Sequence, residues 1–215
     1  MALYISSPIV SFAQIFGMRI LLACFLMIVL LSCTNSQKDQ NAQTKGISKH
    51  SNSFNASVQS AIDSYQQLTD AFVNWDSIAI IRQSGELQRK LDSINFFGFN
   101  PEMITAPADT LNLAKKDLQA MALNKTITDK RHDLNSLTQH LYAFLEIVQY
   151  DEKKVFLHEC PMAFNDTEAA DWLSESEEVR NPYLGLHHPK YGKAMIECGE
   201  TKDTIDFTSQ RPKTK

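Results

Sequence analysis

Residues 126–148, TITDKRHDLNSLTQHLYAFLEIV, place Leu134, Leu137, Leu141, Phe144, Leu145 and Val148 at steps of three and four. That period puts them along one stripe of an α-helix. Thr126 and Asp129 stand at capping-box spacing, so the helix is expected to start there. Upstream, Leu111, Ala114, Leu118 and Met121 form a second stripe, and Ile80/Ile81, Leu87, Leu91 and Ile94 a third. A fourth runs through Val58, Ala61, Ile62, Tyr65, Leu68, Phe72 and Trp75, and Asp76-Ser77 offers a cap where the phase changes. The segment FFGFNPEM, residues 96–103, interrupts the periodicity. Gly98 and Pro101 are turn residues there, and the aromatics are expected to pack beneath the loop. Four amphipathic segments with short connections predict a mainly α fold, an antiparallel four-helix bundle over 55–150. His132 and His140 read as rim residues of the last helix. No Glu-x-x-His pair of the kind used in di-iron bundles is present.

Beyond Asp151 the helical period stops, and Cys, Met, His, Pro and Gly collect together. His158, Cys160 and Met162 fall within five residues, and Met195 precedes Cys198 by three. Thiolate with thioether suits Cu(I), and thiolate with imidazole suits Cu or Zn. Cys160, Met162, Met195, Cys198 and His158 are therefore candidate metal ligands, with Cu(I) the candidate cofactor. The spacing is not that of a paired CxxC zinc ribbon. In an oxidising compartment Cys160 and Cys198 could equally form a disulfide stapling a small module. Both readings stay open on residue chemistry. Phe156-Leu157 and Thr204–Phe207 have the character of short strands, and Trp172, Pro182 and Tyr183 that of a local core. The expectation for 151–208 is a small irregular or two-stranded Cys/Met module packed on the bundle, with 209–215 a tail. Arg180 is expected to pair with Asp171 or to cap a carbonyl.

Cys160-Pro161-Met162-Ala163, Ala170-Asp171-Trp172-Leu173-Ser174, Val179-Arg180-Asn181-Pro182-Tyr183-Leu184-Gly185 and Met195 with Cys198-Gly199 together resemble a bacterial domain family of unknown function. Its pattern is CPMA…ADWLS…IRNPY-G…M–CG, and the resemblance spans about 55–205. The family occurs in secreted proteins and lipoproteins, and fused to adaptor subunits of copper, silver and other heavy-metal efflux pumps. The resemblance implies metal handling, with an efflux adaptor or another envelope protein as partner. It assigns Cys160, Met162, Met195 and Cys198 to the family's soft-ligand positions. The stretch His187-His188-Pro189-Lys190 looks longer than the family's usual turn and is read as an extended loop.

At the N-terminus Ile20–Leu31 is an unbroken apolar run, shorter than the roughly 20 residues a spanning helix needs. With Arg19 before it and Leu30-Leu31-Ser32-Cys33 after it, the run resembles a signal peptide ending in a lipobox. Cys33 is then the lipidated first residue of the mature chain. Met18-Arg19 is the better signal start, and 1–17 look untranslated. The polar stretch 34–54 reads as a flexible tether. These signals place the protein in the bacterial cell envelope, outside the cytoplasmic membrane: on the periplasmic face of the outer membrane or at the cell surface. The 215-residue chain has a net charge of -4 and shows no basic stripe, so no nucleic-acid partner is expected. No GxSxG, HExxH, P-loop or GxGxxG motif occurs, so no enzyme activity is expected. Pairing Cys160 as nucleophile with His158 is disfavoured on the reading that the two leave a strand on opposite faces.

Overall fold

The computed structural model describes residues 47–211. The signal segment, Cys33 and the tether up to residue 46 lie outside the described residues, as do the last residues of the tail. Four helices come first: α1 Asn52–Val73, α2 Ser77–Asp92, α3 Thr105–Leu123 and α4 Ile127–Val148. Three strands follow: β1 Val155–Phe164, β2 Glu168–Ser174 and β3 Glu200–Ile205. The fold is mainly helical with a small antiparallel sheet in the order β2-β1-β3. Two expectations are corrected. The sheet has three strands rather than two, because Glu168–Ser174 pairs with β1. The tether ends earlier than residue 54, because Ser48 Oγ donates to Asp151 at 2.6 Å and α1 begins at Asn52.

The helix boundaries follow local chemistry. Asp76 accepts from the Ile78 and Ala79 amides, and Thr126 from the Asp129 amide, satisfying donors that the helix itself leaves open. Between α1 and α2 the chain turns at Trp75, whose φ is 56°. The C-terminus of α3 is closed by its neighbour: the buried Lys130 of α4 donates Nζ to the Met121 carbonyl at 2.5 Å. Successive helices pack on one another through Leu68, Phe72, Ile80, Leu87, Leu118, Met121, Leu134 and Leu137, all fully buried. Phe96 and Phe99 fold under their loop against Phe54, as the sequence suggested, while Phe97 points outward.

The sheet is not a separate cap. Val155 and Leu173 line a small apolar cavity with α1, α2 and α4 side chains, and helical and sheet residues share one hydrophobic core. Tyr65 of α1 fixes this junction. Its hydroxyl lies 2.7 Å from Thr138 Oγ1 of α4 and accepts from the Leu173 amide of β2 at 3.2 Å. Burial pushes the Tyr65 phenol up to about 12, so it stays a neutral hydrogen-bonding group.

Candidate functional site

β1 carries both His158 and Cys160. It pairs with β2 as far as Cys160↔Ala170, loses register, and resumes at Phe164↔Glu168. Pro161 sits inside this bulge, where its missing N–H costs no ladder bond. On the other side β1 pairs with β3, Glu159 opposite Glu200. The chain therefore enters β3 through Cys198-Gly199, right beside Cys160. Gly199 has a φ of 139°, and a Cβ there would lie 2.6 Å from the Glu159 carbonyl oxygen and 2.8 Å from the Trp172 ring. Only glycine lets Cys198 come so close to β1.

The result is a thiol pair. Cys160 Sγ and Cys198 Sγ are 3.3 Å apart, and both are free thiols. Cys160 is fully buried and Cys198 half-buried. Burial, with the neighbouring Cys160 thiol adding to it, pushes the Cys198 thiol up to about 11. Cys198 is therefore a neutral SH group at neutral pH until something removes its proton.

Asn181 holds Cys198 in place. It is fully buried, and its Nδ2 donates to the Cys198 carbonyl at 2.7 Å. Its Oδ1 accepts from the Tyr183 and Leu184 amides at 2.8 and 2.9 Å, and its own amide donates to the Ile196 carbonyl. One side chain thus ties the 181–185 turn to the segment that carries the second thiol. Tyr183 donates to the Asp171 carbonyl of β2 at 2.5 Å. Gly185, at φ 56°, sits against the Val73 carbonyl and the Trp75 ring, with no room for a Cβ. The Leu186 amide donates to Val73, and Trp75 Nε1 to Leu184. The turn is pinned to the end of α1 on one side and to the sheet on the other.

The remaining sequence candidates fare differently. His158 is corrected as a ligand. Its Nε2 lies 3.0 Å from the Ser176 carbonyl, which can only accept, so Nε2 carries the proton. Its Nδ1 then accepts from the Thr201 hydroxyl at 3.2 Å. Both nitrogens are engaged away from the thiols, and burial lowers the ring's pKa and keeps it neutral. The opposite-faces argument is also corrected: side chains two apart on a strand share a face. What disqualifies His158 as a base for Cys160 is its hydrogen bonding, not its direction. Met162 and Met195 are half-buried and pack against the apolar core. Arg180 faces Asp70 at 3.6 Å, not Asp171. Asp171 is instead held by Lys202 and Gln139. His132, exposed, stacks on Phe164, and His140 pairs with Asp117 at 2.6 Å. The 187–190 stretch is a loop, as expected.

The sequence carries no signal for the role of Asn181 in holding Cys198 beyond its place before Pro182, a pair that favours a turn. Among the described residues no set of three or more His, Cys, Asp or Glu converges on one point. A cation at the thiol pair would thus have two thiolates and no third His, Asp or Glu converging with them, while the Met162 and Met195 thioethers lie two and three residues away in sequence. Such a donor set favours a soft, low-coordinate ion over tetrahedral Zn. No curated protein and no solved structure matches the chain. Residues 61–153, from within α1 to just before β1, are similar to a protein family of unknown function, DUF3347; the match covers part of α1 and all of α2 to α4 and stops short of both thiols, in keeping with an uncharacterised family.

Proposed function

We propose that this is an envelope lipoprotein that binds a soft metal ion, with Cu(I) the best fit, and serves as an accessory to heavy-metal efflux or resistance. One observation carries the reading: Cys160 and Cys198, far apart in sequence, bring their sulfurs to 3.3 Å. Two thiolates roughly 2.3 Å from a shared low-coordinate ion would stand about 4 Å apart in trigonal and about 4.6 Å in linear geometry, so the pair must open by about 1 Å to admit the ion. Met162 and Met195 flank the thiols in sequence and supply further soft donors. The lipobox-like Leu30–Cys33 supports a tethered protein outside the cytoplasmic membrane. The family resemblance supports an efflux adaptor as partner.

Titrating the full chain with Cu(I) against a chromophoric chelator tests the reading. Wild type is expected to bind one equivalent, and the Cys160→Ser/Cys198→Ser protein at least a hundredfold more weakly. Equal binding by both proteins rules the metal site out. A second reading rests on the same distance, since closing by little more than 1 Å would form a disulfide of about 2.05 Å. Alkylation before reduction, followed by mass measurement of protein taken from the envelope, separates the two. A fully oxidised pair indifferent to copper selects a stapled interaction module instead.

A further inference from the structure

One end of the molecule presents an apolar surface that the fold does not need. The start of α1, the end of α2, the start of α3 and the end of α4 meet there. A cleft at this end is lined by Phe97, Met103 and Ile147, with Lys49 and His50 on its rim. Phe97 is 74 % exposed, Met103 61 % and Ile147 45 %. Ile47, two residues before Lys49, is 63 % exposed. Phe96 and Phe99, from the same loop, turn inward against Phe54. The loop thus sorts its aromatics: two complete the core, and the third faces outward beside a methionine. Lys49 and His50 are held at the rim, Lys49 Nζ by Gln149 and the His50 ring stacked on Phe99 at 5.3 Å.

The place where the chain enters identifies the occupant. The described chain begins at Ile47, on this same end. Cys33 lies so few residues upstream that even a fully extended chain spans at most about 50 Å. A membrane-attached Cys33 therefore keeps this end of the domain close to the lipid surface at high effective concentration. Weak insertion of a few side chains then becomes substantial occupancy. Exposed apolar groups rimmed by a cation suit the headgroup–acyl boundary of an anionic bilayer.

We infer that this end is a membrane-docking face, with Phe97, Met103, Ile47 and Ile147 seated in the outer part of the bilayer and Lys49 at headgroup level. The inference rests on the lipid-anchor reading of Cys33. Docking orients the molecule. The thiol pair belongs to the sheet and to the turn pinned at the opposite end of α1, so it faces away from the lipid toward a partner.

The test uses the full chain, produced in bacteria and reconstituted into phosphatidylethanolamine/phosphatidylglycerol vesicles with brominated acyl chains. Phe97→Trp adds a reporter on the face. Leu123→Trp adds one at the other end of the helices, where Leu123 is 81 % exposed. Bromine quenching of the added emission is expected to reach about half for Phe97→Trp and to be negligible for Leu123→Trp. Equal quenching of the two, or none, overturns the inference. Emission from Phe97→Trp that is blue-shifted but unquenched also overturns it, because the face is then covered by protein. As a label-free second measurement, amide exchange across 94–104 in wild type should slow severalfold in vesicles relative to detergent, and unchanged exchange counts against docking. Mass analysis of the N-terminal peptide reports on Cys33 separately. An acylated Cys33 with no quenching leaves the anchor and removes the docking face. An unacylated Cys33 removes the anchor reading, and quenching with vesicles in excess then decides docking alone.

Discussion

The helices and the 175–199 segment over the sheet are held by different physics. The helices are held by area: long rows of Leu, Ile and Phe, none indispensable in identity, buried along stripes that repeat every three or four residues. The covering segment has almost no regular structure and is held by points. Asn181, Tyr183, Gly185 and Gly199 each occupy a place that one residue type fills. A surface held by area tolerates exchange of similar side chains. A surface held by points positions atoms, here two sulfurs, and breaks locally when one point is lost. The largest effect should therefore come from the helical core. Phe72→Ala removes a fully buried ring and should cost about 3–5 kcal/mol. Urea unfolding followed by circular dichroism should show the whole transition shifted. A shift confined to part of the signal would mean that helices and sheet do not share one cooperative core.

Asn181→Ala is the complementary break. It leaves the Cys198 carbonyl and two buried amides without partners, a loss of about 2–4 kcal/mol. The expected outcome is local. Oxidative closure of Cys160 with Cys198 should slow at least tenfold, while the helical signal stays near that of wild type. Undiminished closure would show that Gly199 and the β1–β3 pairing alone hold the thiols together. Gly199→Ala sharpens the same point: its Cβ has no room beside the Glu159 carbonyl, so β3 must move and take Cys198 with it.

This division also explains what could be read from the linear chain. The four helices were visible because burying one face of a helix imposes a period, and Asp76 and Thr126 marked starts with side chains that cap. The third strand was not visible. In Glu168–Ser174, Ala170 to Leu173 form an unbroken buried run, because helices cover one sheet face and the loop segment the other, so no alternation appears. The thiol candidates were visible as residue types, but their convergence depends on the Asn181 and Gly199 contacts, which carry no periodic signal. His158 looked like a ligand because its class binds metals; its hydrogen bonds to Ser176 and Thr201 come from elements 18 and 43 positions away.

The thiol pair should also respond to pH more than the helices do. With the Cys198 thiol pushed up to about 11, alkylation by iodoacetamide at pH 7.5 should be slow in the folded protein. The rate should climb about tenfold per pH unit up to that value. In urea it should approach the rate of an ordinary thiol. A rate at pH 7.5 equal to that of the unfolded chain would mean that neither burial nor the Cys160 thiol holds the Cys198 proton in place. If the pair binds Cu(I) as proposed, apparent affinity should rise over the same range, because a bound metal takes thiolates.

The smallest expected effect is a pH slope from His158. Its folded-state pKa lies below the ordinary 6.5 because burial disfavours the imidazolium, so the unfolded chain binds the extra proton between the two values. The stabilisation by neutral His158 is complete above about pH 6.5. It declines as the pH falls below that and is exhausted at the folded pKa. Linkage limits the slope of this single group to about 1.4 kcal/mol per pH unit. Denaturant midpoints for wild type and His158→Gln between pH 5 and 7.5 isolate the effect, because every other group titrates alike in both proteins. Wild type should lose ground to the variant as the medium acidifies, and parallel curves would show that a charged ring is tolerated between the sheet and its covering segment. That would place the segment, unlike the helices, in a site open enough for water to reach the imidazole.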